Sequence, residues 1–154
     1  MKSLKIWSLA VVLLMAMVGC KPTPGPNPED TGSFDLLENE WKLVSVNGEA
    51  NEFHVYLSFG QGNFAIFQQI YTLEYKFYDG TYTISGNKLT GEYYDAGAWK
   101  CGYTGGVSAD GKTLTLISDD EHSMKCVYEA CTIPDDVRDE AIHGTRSVEE
   151  LPFL

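Results

Sequence analysis

The sequence predicts an all-β protein of about eight antiparallel strands closed into an up-and-down barrel, with one short helix near the C-terminus. Three observations predict it. Aromatic and β-branched residues alternate with polar ones between Trp41 and Cys131, the period of strands with one buried face. Gly, Asn and Asp interrupt those runs at short intervals, where tight turns join neighbouring strands. Between the same limits no segment repeats apolar residues at three- and four-residue spacing, so no helix is expected there. Short antiparallel strands must bury one face and hide their edges, and closure into a barrel does both. A two-sheet sandwich is the competing architecture.

Taken in order, the chain opens with Lys2 and Lys5 and is then apolar from Ile6 to Val18 apart from Ser8. That run is short for a membrane span and has the size of a signal-peptide core. It ends Met17-Val18-Gly19-Cys20. Small residues just before a cysteine, directly after such a core, resemble the lipobox of bacterial lipoproteins; Met17 stands where that motif usually has Leu. The resemblance implies a signal peptide over residues 1–19, cleavage before Cys20 and a diacylglycerol on its thiol. Two or three acyl chains anchor a protein stably. Residues 20–34 carry four of the six prolines, the composition of an extended polyproline tether. Lys21 occupies the position where some lipoproteins carry the Asp of inner-membrane retention. The resemblance therefore favours the outer membrane, facing either the periplasm or the outside.

The domain is expected over residues 35–154. Trp41–Val46 reads as a first strand, closed by the turn pair Asn47-Gly48. Phe53, Val55, Leu57 and Phe59 alternate with His54, Tyr56 and Ser58 in a second. After Gly60-Gln61-Gly62, a third strand begins at Phe64–Phe67, with Gln68-Gln69 following. The stretch Tyr75–Ser118 supplies the next strands, with turns expected at Asp79-Gly80, Gly86-Asn87 and Ala109-Asp110-Gly111. Met124–Cys131 is the last strand, after the polar turn Asp119–Ser123. Thr132-Ile133-Pro134-Asp135-Asp136 has a capping hydroxyl, then Pro and acids in a first turn, which predicts a short helix. Val137 and Ala141 would rest on the barrel, and Gly144 would end the helix. Leu151-Pro152-Phe153-Leu154 is apolar; it either docks on the barrel end or is disordered.

This order resembles the short lipocalin-like domains of bacterial lipoproteins. The matching pieces are Trp41-Lys42-Leu43, Tyr78-Asp79-Gly80-Thr81-Tyr82, Gly86-Asn87-Lys88-Leu89-Thr90-Gly91, Trp99, Thr113-Leu114-Thr115-Leu116 and Ile133-Pro134. True lipocalins have a Gly two residues before the first-strand Trp, where this chain has Asn39. They also have an Arg after the last strand that covers that Trp, for which Arg138 is the nearby candidate. The resemblance implies a lipid-anchored, non-catalytic barrel that binds a small hydrophobic or amphipathic molecule. The alternative is a solid-core barrel acting as a protein-interaction or inhibitor module at the cell envelope.

The formal net charge is −11. The only charged residues of the leader are the basic Lys2 and Lys5, so the remainder is more acidic still. Such a surface repels nucleic acid and anionic lipid headgroups, and otherwise serves solubility. Candidate ligand-binding residues are the aromatics Trp41, Tyr56, Phe77, Tyr82, Tyr93, Trp99 and Tyr103. An eight-stranded barrel either fills itself with side chains or holds one small ligand, and aromatics are also what strands prefer. The residues read first as core and barrel wall, and second as the lining of a mouth or cavity.

His54, His122 and His143 lie far apart in sequence and fit no metal spacing. Asp119-Asp120-Glu121-His122 reads as a solvated turn without the ligand pattern of a calcium loop. No nucleophile elbow, Gly-rich phosphate loop or zinc-hydrolase helix is present; no catalytic residue, metal or cofactor is expected. Cys101, Cys126 and Cys131 are expected to be reduced. In a simple meander Cys101 and Cys126 would be about 9.6 Å apart, separated by the Thr113–Ile117 strand.

Overall fold

The computed structural model describes residues 32–95, 97–144 and 151–154. The expected signal peptide, Cys20 and most of the tether lie outside them. The strands are β1 (Glu40–Val46), β2 (Glu49–Ala50), β3 (His54–Gly60), β4 (Asn63–Gln69), β5 (Lys76–Ser85), β6 (Lys88–Tyr93), β7 (Gly97–Ala98), β8 (Tyr103–Val107), β9 (Thr113–Ser118), β10 (Lys125–Cys131) and β11 (Ile142–His143), with one helix, α1 (Asp135–Glu140).

Eight of these strands close a ring: β1, β3, β4, β5, β6, β8, β9 and β10, each antiparallel to the next, with β10 returning to β1. This is the expected up-and-down barrel. The shortest seam is β6 on β8, where only Lys88↔Thr104 and Leu89↔Tyr103 pair. Side chains reinforce it: Asp119 pairs with Lys88, and its Oδ1 accepts the Gly102 N–H at 2.8 Å. β2 pairs with β1 and β7 with β6, while β11 lies parallel to β5 and makes the sheet mixed.

Alternation sorts the side chains as the period of two requires. In β9, Leu114, Leu116 and Ser118 are buried while Thr113, Thr115 and Ile117 are half-buried. The inward residues form one core that includes Trp41, Leu57, Ile66, Tyr78, Leu89, Leu116 and Tyr128, each no more than 1% exposed. Phe34 and Leu37, ahead of β1, join this core, and the Leu37 carbonyl accepts the Trp41 Nε1–H at 3.0 Å. A bridge between Ser33 and Val107 pins the same segment to β8.

The Asp79-Gly80 pair is not a turn. Both residues lie inside β5, where Gly80 pairs with Phe64 of β4 on one side and Tyr93 of β6 on the other. β5 changes partners here, and the three strands crowd together. A Cβ on Gly80 would stand 1.9 Å from the Glu92 carbonyl oxygen, so glycine is required by packing and not by chain reversal.

The C-terminal helix is present but differs at both ends. Pro134 is its N-cap and no side chain caps it, so the Thr132 hydroxyl does not have the expected role. The helix stops at Glu140, and β11 follows. Gly144 is not its terminator: it is packed against Tyr78, whose ring would clash with any Cβ at 2.2 Å. Val137 is buried and Ala141 half-buried, as expected. They pack with Ile133 on Tyr56 and Phe67, forming a second small core on the outside of the barrel wall. Arg138 belongs to this outer layer. It lies 5.8 Å over the Phe67 ring and pairs with Glu40, whose other oxygen accepts the Ile133 N–H at 2.6 Å. It therefore straps the helix to the wall and does not cover Trp41, whose side chain points inward.

Candidate functional site

β4 carries a feature its apolar neighbours do not share. Phe64, Ile66 and Gln68 occupy its inward positions, and all three are buried, Gln68 to 1% exposure. A carboxamide taken out of water without partners is costly, by about 1–3 kcal/mol in mutational data. Gln68 has partners. Its Nε2 donates to the Leu151 carbonyl at 3.0 Å, and its Oε1 accepts the Phe153 N–H at 2.8 Å. A third bond follows one residue on, where the Tyr93 hydroxyl donates to a main-chain oxygen of Leu154 at 2.6 Å.

Residues Leu151–Leu154 thus sit in one end of the barrel. Leu154 is 2% exposed and belongs to the main core, and Phe153 packs against it half-buried. Ile70, just past β4, Val46 at the end of β1 and Met124, just before β10, are half-buried against the same core. These positions define a mouth framed by the connections after β1 and β4 and before β10. Beside Phe153 a depression of about 360 Å³ remains, floored by Val46, Phe53 and Met124 and edged by Glu49 and Glu52. The apolar segment therefore docks, the first of the two outcomes open in the sequence.

The seven candidate aromatics divide by parity. Trp41, Tyr93, Trp99 and Tyr103 face the interior and are buried in the main core. Trp99 lies edge-on to Phe64 at 4.9 Å and to Tyr103 at 5.8 Å, and covers Gly91, where a Cβ would meet its ring at 2.3 Å. Tyr82 is half-buried against that core beside Phe59, with its hydroxyl 3.4 Å from Glu38. Tyr56 and Phe77 point the other way and belong to the outer layer under α1. Tyr93 alone among the seven has a hydrogen bond to the docked segment. Gln68 and the segment itself were not singled out as site residues. The signal for Gln68 was its place on the inward parity of Phe64 and Ile66; reading by residue type passed over it.

Deeper in the barrel lie the buried side chains of the main core, Tyr103, Cys126 and Tyr128 among them. The groups there are held in neutral forms. Burial pushes the Cys126 thiol up to about 11 and raises Tyr128 further above its ordinary value. Burial, then a hydrogen bond with Cys101, raises Tyr103. Cys131 is raised by burial and then by Glu40. The three cysteines are free, and β9 separates β8 from β10 as expected. A thiol this hard to ionise is a poor nucleophile. In the native protein at pH 8, Cys126 is expected to alkylate roughly 100-fold more slowly than an ordinary exposed thiol. Mass mapping of iodoacetamide adducts checks this, and equal rates would contradict a sealed interior.

The charged turn Asp119–Ser123 is occupied by its own geometry. Asp120 Oδ1 accepts from the Ser118 hydroxyl at 2.7 Å and from the His122 and Ser123 N–H groups at 3.2 Å. The Ser118 bond leads in holding the Asp120 carboxyl below the usual carboxylate range. His143 Nε2 stands 3.5 Å from Asp79 on the outer wall. Among the described residues no group of three or more His, Cys, Asp or Glu side chains could hold a metal.

No protein-family model matches the chain, and no curated protein matches it. Two solved structures are similar to it. One is an uncharacterized protein from Bacteroides eggerthii, with a TM-score of 0.47 and 12% identity over 60% of this chain and 98% of that one. The other is a lipocalin-like protein from Bacteroides uniformis, with a TM-score of 0.48 and 15% identity over 62% of this chain and 99% of that one.

Proposed function

We propose that this chain is a non-catalytic binding barrel, lipid-anchored in the cell envelope, which takes a small hydrophobic or amphipathic ligand at the mouth now filled by Leu151–Leu154. The observation that carries the reading is Gln68. A buried carboxamide at the edge of an apolar interior, with the Tyr93 hydroxyl bonded to the same docked segment, is the combination of apolar wall and few placed polar groups found in ligand sites. The raised thiols of Cys126 and Cys131 and the self-bonded acidic turn are poor sources of a nucleophile or base, which favours binding over chemistry.

The anchor rests on the lipobox resemblance at Cys20 and the proline-rich tether after it, and outer-membrane residence rests on Lys21. Cys20→Ala is expected to move the protein from the membrane fraction to the soluble fraction. Labelled palmitate entering that variant would contradict the assignment. The binding reading is tested by native mass spectrometry of the protein taken from its own membranes. A non-covalent adduct, small molecule or peptide, that grows when Leu151–Leu154 are deleted is the expected result; adduct-free spectra of both forms would overturn it.

A second reading, a protein-interaction barrel, is favoured by the apolar residues on the connections before β3 and after β4. Phe53, Tyr71 and Leu73 are 49%, 56% and 94% exposed, and exposed apolar groups near a site mark contact surfaces.

A further inference from the structure

We infer that the ligand of this mouth is a short, extended apolar peptide segment from another polypeptide, held as Leu151–Leu154 is held. The inference rests on the binding reading above and names its ligand class. The argument starts from what Gln68 recognises. Its carboxamide gives a hydrogen to the carbonyl of residue 151 and takes one from the N–H of residue 153. A residue of a strand in a parallel ladder makes the same two bonds to positions i and i+2 of its neighbour. Gln68 therefore reads an extended main chain, and Tyr93 reads a main-chain oxygen one residue further on.

All three bonds are to backbone atoms, so they are indifferent to sequence. Selectivity for apolar side chains comes from the burial of Pro152 and Leu154. This division between main-chain bonds for affinity and pockets for specificity is that of strand-type peptide recognition. A fatty acid or a sterol offers no donor and acceptor at this spacing. It would leave the buried Gln68 amide unpaired, a loss of about tenfold or more in affinity.

The resident segment does not exhaust the site. The depression of about 360 Å³ beside Phe153 stays open over Val46, Phe53 and Met124. Charge also favours a different occupant. The chain carries a net charge of −11, and Glu49 and Glu52 edge the depression, so its rim is acidic. A peptide with neutral or basic flanks avoids repulsion by that rim.

The test keeps the full chain. A protease site placed within residues 145–150 is cut after folding, so that Leu151–Leu154 remains held only by the mouth. A fluorescent hexapeptide, Lys-Lys-Leu-Pro-Phe-Leu, is then titrated against the cut and uncut proteins. The cut protein is expected to bind it saturably, and the uncut protein at least about tenfold more weakly, because a tethered segment competes at high effective concentration. Methylating the Phe amide nitrogen of the peptide, or the change Gln68→Leu, should each weaken binding at least about tenfold. Saturable binding of laurate without binding of the peptide would overturn the peptide inference and leave the binding reading standing. Equal binding of the methylated and unmethylated peptides would also overturn it. Binding of neither laurate nor peptide by the cut protein would overturn both.

Discussion

Trp41→Ala is expected to lower the unfolding free energy by about 3–5 kcal/mol. Trp41 has no exposed surface and sits on β1, which pairs with β10 on one side and β3 on the other. Its replacement removes a large ring from the centre of the core and leaves a cavity that the paired strands cannot collapse. It also orphans the Leu37 carbonyl, which accepts the indole N–H. Leu37 and Phe34 would then lose one of their holds on the barrel, leaving the Ser33–Val107 bridge. Urea denaturation measures the loss, read at an unchanged dependence on denaturant so that the unfolded state is comparable. A loss below about 1 kcal/mol would mean that the closed ring is not organised around this ring system.

Gly80→Ala has the second large effect, about 3 kcal/mol, and it reaches the site. The added methyl has no rotamer to choose, and its obstacle is the backbone carbonyl of Glu92 at 1.9 Å. β5 and β6 must separate at the pair Gly80↔Tyr93. Tyr93 is the residue whose hydroxyl holds Leu154, so the same change should loosen the docked segment. Gly60→Ala is the control. A Cβ there meets nothing within 4 Å, and its effect should stay within about 0.5 kcal/mol. Equal effects of the two changes would refute the packing account of Gly80.

The contrast between these two glycines shows where the sequence is readable and where it is not. Period-two alternation carries the barrel: Leu114 and Leu116 face in between outward threonines, and Phe64, Ile66 and Gln68 share one side of β4. Asp79-Gly80 carries turn chemistry, yet whether a glycine reverses a chain or admits a neighbouring strand is decided by what packs on it. Gly144 misleads for the same reason, since Tyr78 and not a helix end sets its requirement. Parity could have excluded Tyr56 and Phe77 from the interior, because their strand neighbours Leu57 and Tyr78 are the ones that face the main core. Selection by residue type obscured that. The docking of Leu151–Leu154 depends on partners 61 to 85 residues away in the chain, and no local pattern encodes contacts at that separation.

The grip of Gln68 on the main chain of Leu151–Leu154 is the centre of this account, and amide hydrogen exchange at Phe153 measures it directly. In the full chain the Phe153 N–H should exchange at least roughly 100-fold more slowly than in an unstructured peptide, and Gln68→Leu should abolish most of that protection. Exchange of the Phe153 amide at the unstructured rate in the unaltered protein would contradict the account.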